Sequence, residues 1–248
     1  MLTTLRRLID GKLSVGTANE ETRIRWVEKT LKDIPVGSVL LDAGAGEQQY
    51  KKFCGHLNYI AQDFAKYNGL GDGKGLQMGT WDQTKLDIIS DIVSIPLKKS
   101  SIDAILCTEV FEHIPEPSLA IKEFQRLLKK DGLLIITAPF CSMTHFAPFH
   151  YSTGFNKYYY EHHLTANGFE VLEITRNGNY FEYLAQEMHR LQWMNAQHST
   201  FKVSLFTKLL IRLILISLQT MSASNKSSEE IMCFGYHIKA KKMKMVGK

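Results

Sequence analysis

The sequence predicts an α/β fold built on a seven-stranded, mostly parallel sheet with helices on both faces. Three observations carry that prediction. Short apolar runs alternate with amphipathic helical patterns along most of the chain. One run, Val39-Leu40-Leu41-Asp42-Ala43, passes directly into a turn with two glycines, Gly44 and Gly46. Another, Leu133-Leu134-Ile135-Ile136-Thr137-Ala138-Pro139, is almost continuously apolar, as expected of a strand covered on both sides.

Taken in order, Thr17 and Glu20 have capping-box spacing ahead of a helix over Thr22–Leu31, which Pro35-Val36-Gly37-Ser38 ends. Val39–Ala43 is the first strand. Gly44 and Gly46 then allow a sharp turn and a ligand lying against the main chain. A short helix is expected over Gln48–Cys54, its N-terminal N–H groups suiting an anionic group. Leu57–Phe64 reads as the second strand, with Asp63 at its carboxyl end, 21 residues after Asp42. A carboxylate at that spacing can accept from both hydroxyls of a ribose.

Residues Tyr67–Thr84 form a long Gly-rich polar loop, of the kind that is often functional or mobile. Leu86–Ser90 is a short third strand and Ser101–Thr108 the fourth. Ser118–Lys130 places Ala120, Ile121, Phe124, Leu127 and Leu128 on one helical face, with Gly132 as the stop. The Leu133–Pro139 strand, a helix over Gly154–Asn167 and an alternating strand over Phe169–Ile174 follow. A helical segment from Tyr180 to about Thr220 then interrupts the sheet, and Ile231–Ala240 resumes it. The organisation expected is one domain, with a core over 17–178, a helical insertion over 179–230 and a last strand with a basic tail over 231–248.

Composition excludes several classes. The formal net charge of +5 is matched by five lysines near the end, Lys239, Lys241, Lys242, Lys244 and Lys248, so the body is near neutral. A nucleic-acid groove is therefore not expected. The tail reads as a solvated end, with contact to an anionic membrane as the lesser alternative. Cys54, Cys107, Cys141 and Cys233 form no Cys-x-x-Cys pair, so neither a disulfide framework nor a zinc site is indicated and no metal is expected. The first thirty residues offer no signal-peptide core, and a cytoplasmic protein is the expectation.

Two cofactor classes use a strand-turn with Gly-x-Gly. A dinucleotide fingerprint requires a third glycine, where this chain has Gln49, and Asp42 before the first glycine argues for the other class. Asp42-x-Gly44-x-Gly46 resembles motif I of class I S-adenosylmethionine-dependent methyltransferases. The later runs Asp91-Ile92, Ile95-Pro96, Ile102-Asp103 and Glu109-Val110-Phe111-Glu112-His113-Ile114-Pro115 are similar to those of the type-11 methyltransferase family. The resemblance implies a Rossmann-like fold whose last strand is antiparallel and lies beside strand five. It implies S-adenosylmethionine as cofactor, with Asp42, Ala43, Gly44, Ala45 and Gly46 at its methionine end. Asp63 would meet the ribose, Asp91 and Ile92 the adenine, and Cys107, Thr108 and Glu109 would flank the sulfonium, with Tyr50 and Phe64 also among the cofactor-binding residues.

Methyl transfer from a sulfonium needs alignment above all, but an alcohol acceptor must also lose a proton, and a neutral imidazole suits that near neutral pH. His113, directly after strand four, and His145 and His150, in the aromatic stretch Pro139–Tyr151, are the candidate catalytic residues. His162 and His163 fall on a helix and read as structural or solvated. The aromatic stretch is similar to one found in family members encoded with surface-polysaccharide genes, which implies a saccharide or other small-molecule hydroxyl as acceptor. Two other readings stand beside this one: an NAD-dependent oxidoreductase, and a non-catalytic scaffolding subunit of a glycan assembly.

Val203–Thr220 carries a broad apolar side of Leu205, Phe206, Leu209, Leu210, Leu213, Ile214 and Leu218. Lys208 and Arg212 in its middle would each cost roughly 2.5–3.5 kcal/mol at a bilayer centre, which argues against a spanning helix. Peripheral membrane contact, a homodimer interface and packing on its own domain are the three alternatives.

Overall fold

The computed structural model describes residues 13–243. They form a seven-stranded sheet in the order β3-β2-β1-β4-β5-β7-β6. The strands are β1 (Val39–Ala43), β2 (Asn58–Asp63), β3 (Ile88–Ile89), β4 (Ile102–Thr108), β5 (Leu128–Pro139), β6 (Phe169–Asn177) and β7 (Gly235–Lys242). The helices are α1 (Asn19–Lys32), α2 (Pro117–Leu127), α3 (Lys157–Ala166), α4 (Tyr180–His198) and α5 (Leu205–Ala223). This is the Rossmann-like methyltransferase fold.

β1 is parallel to both neighbours, with Leu41 opposite Ile60 of β2 and Ile105 of β4. Its residues are buried from Leu40 to Ala43, which explains the unbroken apolar run. Leu40, Ala104, Leu106 and Ile135 meet Val27 and Leu31 of α1, with Tyr50 and Cys54, in one core cluster. β7 runs antiparallel to β5, Ile136 facing Ile238, and is inserted between β5 and β6. The two central parallel pairs bring the ends of β1, β2 and β4 to one edge, where α/β folds bind ligands.

The described residues form two compact units, one of 23–175 with 235–243 and the other of 13–22 with 176–234. In the second unit the expected single helical segment is two helices. Asn179 caps α4 by accepting from Phe181 and Glu182, and Ser204 caps α5 by accepting from Thr207. Ile211, Leu215 and Leu218 of α5 pack with Val15 and Ala185, and the Gly16 N–H donates to Glu182 (2.6 Å).

Four local expectations are corrected. Thr17 does not complete a capping box, because its hydroxyl donates to the Ser14 carbonyl (2.8 Å) and α1 begins at Asn19. The element after the glycine turn is a single 3-10 turn, Lys51–Phe53, rather than a helix over 48–54. It is too short to present an array of N–H groups. Gly132 does not stop α2, which ends at Leu127 as Leu128 becomes extended and pairs with Ile102. Asp131 takes the left-handed turn there (φ 61), and Gly132 is small because a Cβ would lie 2.9 Å from the Lys129 carbonyl. The basic tail is not uniformly solvated: Lys239 pairs with Glu173, Lys241 with Glu170, and Lys242 is buried against the Leu128 carbonyl (2.7 Å). Lys244 and Lys248 lie outside the described residues.

Candidate active site

The glycine turn leaves β1 with Gly44 at φ 77 and Gly46 at φ 48, both in the left-handed region. Space matters as much as conformation. A Cβ on Gly44 would lie 2.5 Å from Val110 Cγ2, and one on Gly46 would lie 2.7 Å from Trp81 Cζ2. The turn therefore packs against side chains of its own chain. Gly44 and Ala45 donate to the Gln62 carbonyl (2.9 Å each), and Gly46 donates to Asp63 Oδ2 (3.0 Å). Asp63 also accepts from Ala65 N–H (3.0 Å) and Gln83 Nε2 (3.2 Å) through Oδ1. It ties the ends of β1 and β2 to the loop.

Asp42 is buried at the end of β1. Tyr59 donates to its Oδ2 (2.5 Å), while Oδ1 has no hydrogen-bond partner among the described residues. Desolvation, opposed by the Tyr59 hydroxyl and reinforced by Asp63, raises its carboxyl to about 7. An unpartnered carboxylate oxygen beside two compact glycines fits the cationic methionine end of S-adenosylmethionine. Ala43 and Ala45 are buried in the same turn. Tyr50 is buried in the core cluster, near the Arg23 guanidinium. Phe64 makes an edge contact with Phe149 (centroids 5.0 Å).

Asp91, after β3, is exposed and accepts from Val93 N–H (3.1 Å), with Ile92 buried beside it. Cys107 is fully buried in β4, where desolvation raises its thiol well above the usual range. Thr108 ends that strand, and Glu109 adopts φ 54. Glu109 accepts from Thr137 Oγ1 (2.9 Å) and pairs with Arg23 (3.0 Å), so its carboxylate is already engaged.

The three histidines named from the sequence converge. Ring centroids are 4.6 Å apart for His113 and His145, 4.8 Å for His145 and His150, and 5.8 Å for His113 and His150. Desolvation and the His145 imidazole hold His113 down to about 3 despite the Phe149 carbonyl at Nδ1 (2.6 Å). A group with so low a pKa is a poor proton acceptor near neutrality. His150 is half-buried and shifted downward by desolvation, then by His145. His162 is exposed on α3, with His163 against it and Tyr159.

Sequence reasoning missed what joins the glycine turn to the histidines. Tyr67, Trp81 and Phe146 form a ring cluster, and Phe146 stacks on His113 (5.1 Å). The 67–84 loop is not loose: Asp72 donates to Ala147, Leu76 to Thr144, and Phe146 back to Leu76, all at 2.9–3.0 Å. Its glycines were the available signal, since a Cβ on Gly71 would strike the Ala147 carbonyl at 2.0 Å. Glu112 was also passed over. It is 1% exposed, and burial followed by the nearby Glu109 raises it well above the usual carboxylate range.

Residues 41–136 match the model of the methyltransferase domain family, a span that takes in the glycine turn, Asp63, Asp91 and His113 but stops short of His145 and His150. Over those residues the chain carries a methyltransferase domain of the type-11 family, set in the fold of class I S-adenosylmethionine-dependent methyltransferases. S-adenosylmethionine is its cofactor, and neither the oxidoreductase reading nor the scaffold reading is favoured. Solved structures with the same fold include a methyltransferase from Archaeoglobus fulgidus, at 16% identity and TM-score 0.55, covering 90% of this chain and 92% of that one. A phosphoethanolamine N-methyltransferase 2 from Haemonchus contortus, in complex with S-adenosyl-L-methionine, has 15% identity and TM-score 0.50, with 97% and 56% covered. The [4+2]-cyclase SpnF has 16% identity and TM-score 0.55, with 98% and 92% covered. That likeness extends to the fold and not to the reaction. No curated protein matches the chain.

Proposed function

We propose that this methyltransferase acts on a hydroxyl of a saccharide or similar small molecule, with His150 as the proton acceptor. The observation that carries the reading is the state of His150. Ser142 Oγ donates to the Thr153 carbonyl (3.0 Å), so at its 3.2 Å contact with His150 Nε2 the hydroxyl accepts. The imidazole thus holds its proton on Nε2 and presents a lone pair at Nδ1. Its lowered pKa keeps it neutral at physiological pH. S-adenosylmethionine, when bound, would supply the methyl group from its sulfonium, and His150 Nδ1 would take the proton that the acceptor hydroxyl gives up. The same loop carries Phe146, Phe149 and the exposed Tyr151, rings of a kind that suits the apolar face of a pyranose.

Labelled-methyl transfer to a panel of saccharides and cell-envelope extracts tests the acceptor class. His150→Ala should lower turnover by roughly 10²–10⁴-fold and leave S-adenosylhomocysteine affinity nearly unchanged. Wild-type turnover in that variant would remove the base.

We also propose that α5 brings the enzyme to an anionic membrane surface, where a lipid-linked saccharide would be available. Among the described residues it is one helix long and apolar enough to cross a membrane by length and composition, yet most of it is uncovered. Phe206 is 68% and Leu213 51% exposed, beside the cations Lys208 and Arg212. Such a helix fits the headgroup boundary better than the bilayer interior.

A further inference from the structure

We infer that Glu112, His113 and His145 form a binding site for a divalent first-row transition-metal ion. Glu112 and His113 are neighbours on the 3-10 turn Phe111–His113, where the chain leaves β4. His145 comes from the loop after β5. The fold brings Glu112 Oε1 to 3.8 Å from Nε2 of each histidine, and the three ligand atoms lie within 4.8 Å of one another.

The tautomers are set by the backbone. His113 Nδ1 faces the Phe149 carbonyl (2.6 Å), and His145 Nδ1 faces the Met143 carbonyl (2.8 Å). A carbonyl oxygen only accepts, so each Nδ1 carries the proton and each Nε2 carries a lone pair. This is how metal-bound histidines are held: the nitrogen away from the ion donates to a fixed acceptor, which orients the ring.

The carboxylate is the second, independent observation. Glu112 is 1% exposed, and neither of its oxygens has a hydrogen-bond partner among the described residues. His113 Nε2, aimed at the same point, has none either. A buried carboxyl left without partners is costly, and such groups call for an explanation. A cation satisfies the carboxylate and the imidazole lone pairs together.

The donor set selects the ion class. Two imidazoles with one carboxylate suit zinc, cobalt, iron(II) or manganese over magnesium or calcium, and leave coordination positions for water or an acceptor oxygen. Ligand atoms about 2.1 Å from an ion in a tetrahedral arrangement are about 3.4 Å apart. Each glutamate–histidine pair would close by about 0.4 Å, and the two imidazole nitrogens by up to about 1.4 Å, around it. The ligands include no cysteine, which is why cysteine spacing gave no hint of the site.

The test uses untagged full-length protein stripped with a chelator, without cofactor or acceptor, so its result is independent of the methylation reading. Calorimetry with zinc should show one equivalent bound, and cobalt should give a visible absorption band that zinc displaces. Glu112→Gln, which keeps the side chain's shape, and His145→Ala should each weaken zinc binding by more than about 100-fold, beyond the loss caused by removing an outer-shell partner. His162→Ala, on the exposed face of α3, should bind as wild type does. Wild-type protein that takes up no zinc and gives no cobalt band would overturn the site. So would one equivalent bound with unchanged affinity in both ligand variants. Because the first of those results needs no variant, a substitution that fails to fold cannot shield the inference.

Discussion

Asp42, one residue from the end of β1, has one oxygen bonded to Tyr59 and the other without a hydrogen-bond partner among the described residues, and its carboxyl is raised to about 7. The cofactor's methionine end carries an ammonium, which favours the ionised carboxylate and draws the pKa down on binding. Affinity should therefore rise as pH rises through about 7. S-adenosylhomocysteine titrated by calorimetry should bind about tenfold tighter at about pH 8 than at about pH 6. Asp42→Asn should bind more weakly and lose that slope. A flat profile in the wild type would separate Asp42 from the ammonium. Gly46 behaves differently, because its φ of 48 and the Trp81 ring at 2.7 Å from a built Cβ make any side chain there a folding defect as well as a binding defect.

Two elements behave in ways their patterns only hinted at. The 67–84 loop places Trp81 over Gly46, so a cofactor lying against the glycine turn meets that indole. Titration with S-adenosylhomocysteine should change the tryptophan emission of the wild type, and Trp81→Phe should abolish most of the change. If the change persists undiminished, Trp26 or Trp193 is the reporter and Trp81 lies away from the cofactor. α5 buries Ile211, Leu215 and Leu218 on one side and leaves Leu205, Phe206, Leu210, Leu213 and Ile214 largely exposed. Flotation should recover the protein with anionic vesicles at low salt and less of it at high salt, because Lys208 and Arg212 act through screened charge. A paired Phe206→Ser and Leu213→Ser change should keep it at the bottom of the gradient. Sedimentation of the wild type in both salts, together with a dimer by light scattering, would assign the face to a second copy.

At the scale of the whole molecule, Asp42 also sets a pH dependence of stability. Its folded pKa of about 7 lies above the ordinary 3.8, so the folded state holds the proton more tightly than the unfolded chain. The contribution is fully present below the unfolded value and is lost as pH rises through about 7. Between about pH 5 and pH 8 the ligand-free protein should lose at most about 2–3 kcal/mol from this one group. Urea denaturation of the wild type and Asp42→Asn at both pH values measures it, and the variant should lack this part of the difference. Glu173 acts in the opposite sense. Though partly desolvated, it is held down to about 2 by Lys239, Thr175 and Trp26, and what it contributes is lost only as pH falls from 4.5 toward 2.

The succession of strands along the chain and the glycine turn were legible because each rests on local chemistry, whereas the cofactor class and the antiparallel place of the last strand were implied by resemblance to a known family. An apolar run forms a covered strand, a carboxylate ends it, and glycines permit the turn that follows. The three histidines were legible as residue types at strand ends. Helix limits at Thr17, Gln48 and Gly132 were misread because Thr17 bonds the Ser14 carbonyl, Gln48 takes a left-handed φ of 60, and Leu128 pairs with Ile102. Trp81 over Gly46, a Glu112 carboxylate without hydrogen bonds among the described residues, and the exposed side of α5 depend on which distant segments meet. Burial, and the electrostatics that burial creates, are properties of the tertiary structure alone.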